Sequence, residues 1–431
     1  MSEYWHFDPG RRVRHSSDAE YEERFRRIFA DSVRRRMRST SPVLAELSGG
    51  IDSSSIVCMA DRITAECPTQ AVGIDTVSYY DDSEPAWNER PYFTRIEEER
   101  GRAGHHIDVR FQPFSMDDAA ADTFAAVPAL QVASPTVRRA FSECVRSGNN
   151  KVLLSGIGGD ELFGGVPTPI PEIADLVVRF ELQLLTKQLA RWALNKKKPW
   201  FYLLGETCRR FVPHQRTATE DFLRAELWLD QGLVERQRTA LRGYESRLKF
   251  LGPLPSFQEN ILAIDTLRRQ LACEPARREP LCEVRYPLLD RDLAEFMLAI
   301  PRTQVVRPGD RRSLMRRALR GIVPTEVLQR KRKAYVARAN LKFMEELKNC
   351  VFNTPDGMLC GHLGILNEAQ LKRSLDSGVA LPSIAFMRLV SLERWLRGAK
   401  GYLAGGIARA SEKTRANSWR FFDQSCLHSK V

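Results

Sequence analysis

The residues best suited to chemistry stand early in the chain, in the order Ser48-Gly-Gly-Ile-Asp52-Ser53. Residues 43–47 before them are apolar apart from Glu46 and predict a strand, while residues 53–65 predict a helix. Backbone N–H groups at a turn between strand and helix attract an anion. The hydroxyl groups of Ser48 and Ser53 add donors, and the Asp52 carboxylate is a hard ligand for Mg²⁺. The stretch therefore predicts a cradle for phosphate groups.

This turn is not a Walker P-loop, because it is too short and lacks the Gly-Lys-Ser/Thr ending. We favour a different phosphate cradle over an ordinary strand–turn–helix connection for this run of residues.

A second strand and glycine turn follow at Ser155-Gly156-Ile-Gly158-Gly-Asp160. If both turns follow strands of one parallel sheet, Asp160 meets Asp52 at the carboxyl ends of those strands. Two carboxylates, phosphate oxygens and water are the usual ligands of Mg²⁺ at a nucleotide. Alone, the second glycine turn is weak support for a site, but the two turns together are strong support for one.

The third stretch of interest begins with Glu283-Val-Arg285-Tyr-Pro-Leu-Leu-Asp290. Basic segments follow it, at residues 311–320 and at Arg330-Lys331-Arg332-Lys333. Taken one by one, these segments are typical of capped helices with basic faces.

The elements that must position these residues alternate between strand and helix. Strands are predicted at residues 43–47, 72–79, 106–109 and 152–155, and helices at residues 53–65, 88–100 and 136–147. Such alternation predicts an α/β fold with a doubly wound, mostly parallel sheet.

The chain is predicted to divide into four parts. Residues 1–40 form a helical lead-in, because Tyr21, Phe25, Ile28, Phe29 and Val33 recur at helical spacing. Residues 41–165 form the nucleotide-binding core. Residues 166–400 are mainly helical, with residues 289–300, 311–320, 341–350 and 385–397 the clearest helices, and residues 401–431 form a flexible tail.

Composition limits the remaining possibilities. The 431 residues carry a formal net charge of +12 and no apolar run long enough to span a membrane. The first residues resemble no secretory signal, so a cytoplasmic protein without a membrane partner is expected. The nine cysteines are unpatterned, which predicts neither disulfides nor a structural metal. The basic charge is interpreted as solvated helix faces and an anionic-substrate site, with nucleic acid the weaker alternative.

The order of the three stretches resembles the synthetase domain of the asparagine synthetase family, within the PP-loop ATP pyrophosphatases. Ser48-Gly-Gly-Ile-Asp52-Ser53 alone also fits GMP synthetases and tRNA-modifying ligases. The Ser155–Glu161 and Glu283–Asp290 stretches narrow the likeness to asparagine synthetase-like enzymes. The resemblance implies a PP-loop fold, similar to adenine nucleotide α-hydrolases, with ATP and Mg²⁺ as cofactors.

The resemblance also implies a reaction. A carboxylate attacks the α-phosphate of ATP, pyrophosphate leaves, and an amine displaces AMP to form an amide. The residues that would hold ATP and its pyrophosphate are Leu47, Ser48, Gly49, Gly50, Asp52, Ser53, Ile74, Ser155 and Gly156, with Mg²⁺ on Asp52 and Asp160. By the same resemblance, the backbone near Leu47, residues 72–74 and Gly156 would hold the nucleoside.

The same resemblance supplies a catalytic lysine and a substrate pocket. The lysine steadies charge at the α-phosphate, and Lys333 is preferred because Ala-Tyr follows it, with Lys331 as the alternative. Gly158, Glu283 and Arg285 are expected to shape the substrate pocket.

Two departures from the family bear on the substrate. Residues 1–40 are too few for a glutaminase, so the amine is expected from a separate glutaminase, another partner protein, ammonia or the substrate itself. Asparagine synthetases usually carry a glutamate where this chain has Ile157, and an aliphatic side chain cannot pair with ammonium. β-Lactam synthetases and lasso-peptide macrolactam cyclases also vary this position.

These observations favour an amide ligase acting on a peptide or small molecule. The alternatives are an ammonia-using asparagine synthetase acting on aspartate and a nucleotide-binding protein without catalysis. A nucleic-acid-modifying enzyme is the weakest alternative.

Overall fold

The computed structural model describes most of the chain between residues 5 and 399. The described residues are 5–66, 72–82, 89–110, 123–124, 128, 135–165, 168–212, 228–236, 247–272, 276–277, 281–330, 345, 348–349, 357–376, 386 and 388–399. The predicted tail and most of the predicted helix at residues 341–350 lie outside them.

A five-stranded parallel sheet lies at the centre of the molecule, in the order β3-β2-β1-β5-β7. Its strands are β1 Val43–Glu46, β2 Ile74–Tyr80, β3 His105–Asp108, β5 Val152–Leu154 and β7 Glu283–Arg285. A separate antiparallel pair joins β4 Thr123–Phe124 to β6 Ala276–Arg277. The predicted parallel α/β sheet is confirmed.

Helices pack on both faces of the sheet, which makes it doubly wound. Along β1, Val43 and Ala45 face one hydrophobic cluster and Leu44 faces another. Both faces are covered, so the first three residues of the strand are apolar and buried. The helices in or near the core segment are α1 Asp18–Arg36, α2 Ile51–Glu66, α3 Arg90–Arg100, α4 Pro135–Ser147 and α5 Gly159–Leu162.

The remainder of the described chain is mainly helical, as predicted. Its helices are α6 Ile170–Val178, α7 Leu182–Lys196, α8 Trp200–Arg209, α9 Gln231–Arg236, α10 Pro255–Ala272, α11 Arg291–Ala299, α12 Arg302–Val305, α13 Ser313–Ala318, α14 Thr325–Gln329, α15 Leu359–His362 and α16 Glu368–Asp376. Residues 388–399 are also helical.

The amphipathic lead-in helix is a structural part of the core. Ser17 caps α1 by accepting a hydrogen bond from the Glu20 N–H. Phe25, Phe29 and Val33 are fully buried, and α1 packs against α2 and α13. The helix therefore holds segments from opposite ends of the described chain together.

The fifth strand was not predicted, because strand signals fade after residue 167. Glu283–Arg285 is only three residues long, and it is an edge strand with exposed Glu283 and Val284. Such a strand has too little alternation to be recognised by pattern. It pairs in parallel with β5, with Leu153 opposite Val284. The segment after residue 165 thus contributes a strand to the same sheet.

Candidate nucleotide site

The first glycine turn is closed by its own hydroxyl groups. The Ser48 N–H donates to Ser53 Oγ at 3.1 Å, and the two hydroxyl oxygens lie 3.0 Å apart. Ser53 Oγ also lies 3.3 Å from the carbonyl oxygen of Gly50. The helix begins at Ile51 rather than at the predicted Ser53, because the Gly50 carbonyl accepts from the Ser54 N–H. Local hydrogen bonds therefore hold the predicted cradle in shape.

Gly49 is the position in this turn that only glycine fits. Its φ is +65°, and a Cβ there would lie 2.5 Å from Cβ of Tyr92 and 3.0 Å from the Phe93 nitrogen. Both neighbours belong to α3, which packs directly against the turn. Glycine avoids both the steric clash and the cost of the left-handed backbone.

The second glycine turn is held in place by contacts with residues outside it. The Ser155 N–H donates to the Arg285 carbonyl at 3.0 Å, and Ser155 Oγ donates to Glu46 Oε2 at 2.5 Å. Gly158 has a φ of +103°, and a Cβ there would lie 2.5 Å from Cδ2 of Leu289. Strand β7 and the turn that follows it therefore shape this second turn.

The two turns touch each other, as their positions on neighbouring strands β1 and β5 require. A Cβ on Gly156 would lie 3.1 Å from the Ser53 nitrogen. A Cβ on Gly159 would lie 2.3 Å from Cγ of Asp52. The glycines of the second turn thus let its backbone approach the start of α2.

Asp52 and Asp160 converge on one cation, Arg312. One nitrogen of its guanidinium, Nη2, lies 2.6 Å from Asp52 Oδ2 and 2.5 Å from Asp160 Oδ1. The Arg312 side chain is 6% exposed, against 20% for Asp52 and 72% for Asp160. The predicted meeting of the two carboxylates at the strand ends is present in the geometry.

This acid pair fits a magnesium ion at a nucleotide. Hard carboxylate oxygens from the starts of α2 and α5 already share one positive group, and Mg²⁺ takes one or two carboxylates together with phosphate oxygens and water. Within the described ranges, no cluster of three or more His, Cys, Asp or Glu residues could hold a metal by itself. Asp52 and Asp160 are therefore the protein groups suited to hold the ion, with the nucleotide supplying further oxygens.

Arg312 is the site residue that sequence reasoning missed. It follows Arg311 at the start of α13, and its backbone is left-handed at φ 52° and ψ 39°. Burial lowers the pKa of Arg311, and the neighbouring positive charge of Arg312 lowers that pKa further. The Arg-Arg pair was visible in the sequence, but nothing in it indicated which acids the pair would meet.

Arg330 is a second arginine at the first turn. Its Nη1 donates to the carbonyl oxygen of Gly49 at 3.2 Å, and its guanidinium stacks 4.1 Å from the Tyr92 ring centre. Lys331 and Lys333, the predicted catalytic residues, lie outside the described residues. The chain is nevertheless anchored at the cradle one residue before Lys331.

One predicted nucleoside contact is wrong. Ile74 pairs with Val43 at the amino end of β2, whereas the glycine turns follow the carboxyl ends of their strands. Its side chain is also buried. Leu47, by contrast, lies at the carboxyl end, where its N–H donates to the Val77 carbonyl at 2.8 Å. A separation of about 10 Å along β2 removes Ile74 from the site.

Glu283 and Arg285 lie in a groove beside the second turn. Arg285 donates to the carbonyls of Arg36 and Arg38 at 2.9 and 2.6 Å, and to Glu283 Oε2 at 2.7 Å. The hydrogen bond from Arg285 lowers the pKa of Glu283. The groove encloses about 470 Å³ and includes Leu289, the residue that contacts Gly158. The half-buried Ile157 stands in the same turn as Gly158.

A parallel α/β sheet with two touching glycine turns and paired carboxylates defines a PP-loop-like nucleotide-binding fold. The chain belongs to the asparagine synthase family, whose sequence profile matches residues 24–397. The family is one of ATP-using ligases, and Mg²⁺ is its usual metal.

Curated relatives agree with this assignment at low identity. Asparagine synthetase 1 (glutamine-hydrolyzing) of Bacillus subtilis (strain 168) is 26% identical over 322 residues, which are 70% of this chain and 47% of that protein. Asparagine synthetase 3 (glutamine-hydrolyzing) of the same organism is 25% identical over 318 residues, 72% of this chain and 47% of that protein. The chain spans about half the length of these relatives.

A comparison with solved structures found the U34-tRNA thiolase NcsA from Methanococcus maripaludis with its 4Fe-4S cluster. It is 14% identical and covers 71% of this chain and 80% of that one, with a TM-score of 0.20. At that score, the likeness carries no argument about function.

Proposed function

We propose that this chain is an ATP-dependent amide ligase that releases AMP and pyrophosphate. The observation that supports it most is the convergence of Asp52 and Asp160 on one cation beside the Ser48–Ser53 turn. Membership of the asparagine synthase family supplies the reaction class.

In this proposal, the first turn holds the departing pyrophosphate. The N–H groups of Gly49 and Gly50 and the hydroxyls of Ser48 and Ser53 are the available donors. The partial positive charge at the start of α2 adds to their attraction for phosphate. A Mg²⁺ ion on Asp52 and Asp160 would neutralise phosphate charge when bound.

The positive side chains around the turn would oppose the charge that develops at the α-phosphate. Fixed cations in a partly enclosed site stabilise such a transition state. Arg312 contacts both carboxylates and Arg330 contacts the turn itself. Lys333, three residues after Arg330 in the sequence, remains our proposed catalytic lysine, with Lys331 as the alternative.

The reaction class can be tested before the substrate is known. The full chain is incubated with ATP, Mg²⁺ and panels of carboxylic acids and amines, and the nucleotide products are separated. AMP and pyrophosphate are expected in equal amounts, and both should be lost in Asp52→Asn. Asp265→Asn, on the exposed surface of α10, serves as the control. Formation of ADP and phosphate would overturn the proposal.

We further propose that the amine belongs to a peptide or small molecule, for example one closing a lasso-type macrolactam. The supporting feature is Ile157, which offers no carboxylate to an ammonium ion. The groove lined by Arg285 and Leu289 gives room for a substrate larger than an amino acid, and Leu289 packs against Gly158.

Ile157→Glu tests this choice of amine. The variant should increase ammonium-dependent AMP formation, because it adds the missing negative charge. Ile157→Gln is the matched control, since it adds polarity without charge. If the unaltered chain uses aspartate and ammonium as well as any peptide, the proposal for the amine is wrong.

The second candidate is an ammonia-using asparagine synthetase acting on aspartate, with or without a partner glutaminase. The names of the curated relatives favour it. Asparagine formation from aspartate, ATP and ammonium is its direct test. ATP binding without AMP formation from any acid would instead indicate a non-catalytic nucleotide-binding protein.

A further inference from the structure

Helices α7 and α8 form a hairpin whose tip combines lysines with aromatic residues. Lys197 ends α7 in a left-handed conformation with φ of 54°, and its N–H donates to the Ala193 carbonyl. Pro199 then begins α8. The sequence across the tip is Lys196-Lys-Lys-Pro-Trp-Phe-Tyr202. We refer to Leu194, residues 196–198 and residues 200–202 as the hairpin tip.

The aromatic residues of the hairpin tip are exposed. Trp200 is 56% exposed, Phe201 62% and Tyr202 44%, and Leu194 reaches 82%. Consecutive residues of a helix point about 100° apart, so the three rings face different directions rather than forming one packing stripe.

The inner face of the hairpin is already filled by other residues. Trp192 is fully buried, and Leu189 and Leu203 are 4% and 2% exposed. Trp192 Nε1 also donates to Glu172 Oε2 at 2.9 Å. The exposed rings of residues 200–202 are therefore not needed to fill the core, which indicates that they have another role.

The charge of the hairpin is strongly one-sided. Residues 182–209 contain six basic residues and one acid, Glu206. Lys198 Nζ lies 4.7 Å from the Tyr202 ring centre, so lysine and aromatic side chains share one surface. A surface of this kind is complementary to a layer of anionic groups.

We propose that the hairpin tip binds the anionic headgroups of a phospholipid membrane. Tryptophan and tyrosine favour the headgroup level of a bilayer, and neighbouring lysines are attracted by anionic lipid. Lysine is depleted in protein–protein interfaces, which argues against an acidic protein as the partner. No helix in the described part of the chain could span a membrane, so the contact is peripheral.

The sequence predicted no membrane partner because no apolar run is long enough to span a bilayer, but a peripheral contact needs no such run. The tip also lies beside the loop that contains Gly309, because a Cβ on Gly309 would be 2.8 Å from Nδ2 of Asn195. The same loop continues to Arg312, so a membrane at the tip lies near the nucleotide site.

Vesicle sedimentation tests the proposal with the full chain. The protein is mixed with vesicles of phosphatidylcholine alone or with about one third phosphatidylserine, and the bound fraction is measured. Binding is expected only with the anionic lipid. Each lysine near an anionic membrane surface changes the affinity about fivefold. Vesicle binding should therefore weaken about a hundredfold when three lysines are replaced together, as Lys196→Gln, Lys197→Gln and Lys198→Gln. Trp200→Ala, Phe201→Ala and Tyr202→Ala together should also weaken it.

A matched control separates the tip from the overall positive charge. Arg62→Gln, Arg95→Gln and Arg110→Gln together remove the same charge from exposed positions elsewhere. Unchanged binding by this control supports the proposal, and an equal loss would overturn it. Absence of binding to anionic vesicles would also overturn it. Soluble polyglutamate is then added as a competitor of vesicle binding. If it displaces all of the bound protein, and this competition requires the aromatic rings of residues 200–202, the partner of the hairpin tip is an acidic polypeptide and not a membrane.

Discussion

The two glycine turns of the nucleotide site differ in what holds them. In the first turn, Ser48 and Ser53 bond to each other across five residues of chain. In the second, Gly158 packs against Leu289, and Ser155 bonds to Glu46, 109 residues away. The first turn is therefore a local structure, whereas the second depends on the assembled sheet.

In the proposed reaction, the two turns would therefore take different parts. A locally closed turn presents the same donors to any phosphate that enters it. In the proposed function, the second turn carries Ile157, which affects the choice of amine, whereas the first turn holds the pyrophosphate.

The largest expected effect is on the affinity for metal and nucleotide, which should differ between variants of Asp52 and Asp160. Asp52→Asn should lower the affinity for Mn²⁺ and ATP together by about 100-fold, because it removes a charge from an enclosed position. Asp160→Asn should cost about tenfold or less, since its carboxylate is 72% exposed and better screened. Electron paramagnetic resonance of bound Mn²⁺ measures both affinities. Equal losses of affinity in the two variants would show that both turns contribute equally to binding of the metal and nucleotide.

Gly49→Ala is expected to have the next largest effect. A Cβ 2.5 Å from Tyr92 adds a clash to the strain of a φ of +65°, so the free energy of unfolding should fall by about 3 kcal/mol. Gly101→Ala is the control, because it has a φ of +62° with no atom within 4 Å. Its loss should be about 1 kcal/mol in urea unfolding. Similar values for both variants would mean that packing against α3 is unimportant.

Gly158→Ala tests the dependence of the second turn on its neighbour. The unfolding free energy should fall by about 2 kcal/mol, because Cβ would meet Leu289 and φ is +103°. In a Leu289→Ala background, the additional loss should be smaller, since the clash is removed and only the strain remains. A double-mutant cycle measured in urea gives the coupling. If the losses simply add, Leu289 does not shape this turn.

The smallest expected effect is that of Ser48→Ala. It removes one hydroxyl from the closed first turn and should lower the unfolding free energy by about 1 kcal/mol. Thr186→Ala is the control, because its hydroxyl bonds to the Gln183 carbonyl on the exposed face of α7. That control should stay within about 0.5 kcal/mol of the unaltered protein.

The local parts of the site could be predicted from the sequence. Residues 43–47, the Ser48–Ser53 turn and the helix after it form a continuous stretch whose conformation depends on nearby residues. The meeting of Asp52 with Asp160 was also predictable, because the ends of parallel strands share one edge of the sheet. The spacing of the apolar residues in α1 also predicted its buried face, because the period of a helix places those residues on the side that packs against the core.

Tertiary structure alone decided which distant residues complete the site. Arg312 contacts Asp52 across 260 residues, and Arg330 contacts Gly49 across 281. The strand Glu283–Arg285 is too short to be recognised, and the strand register places Ile74 at the opposite end from the turns. A sequence determines local conformation through neighbouring residues, but it does not state which segments pack together. Those contacts depend on how the whole chain buries its apolar surface.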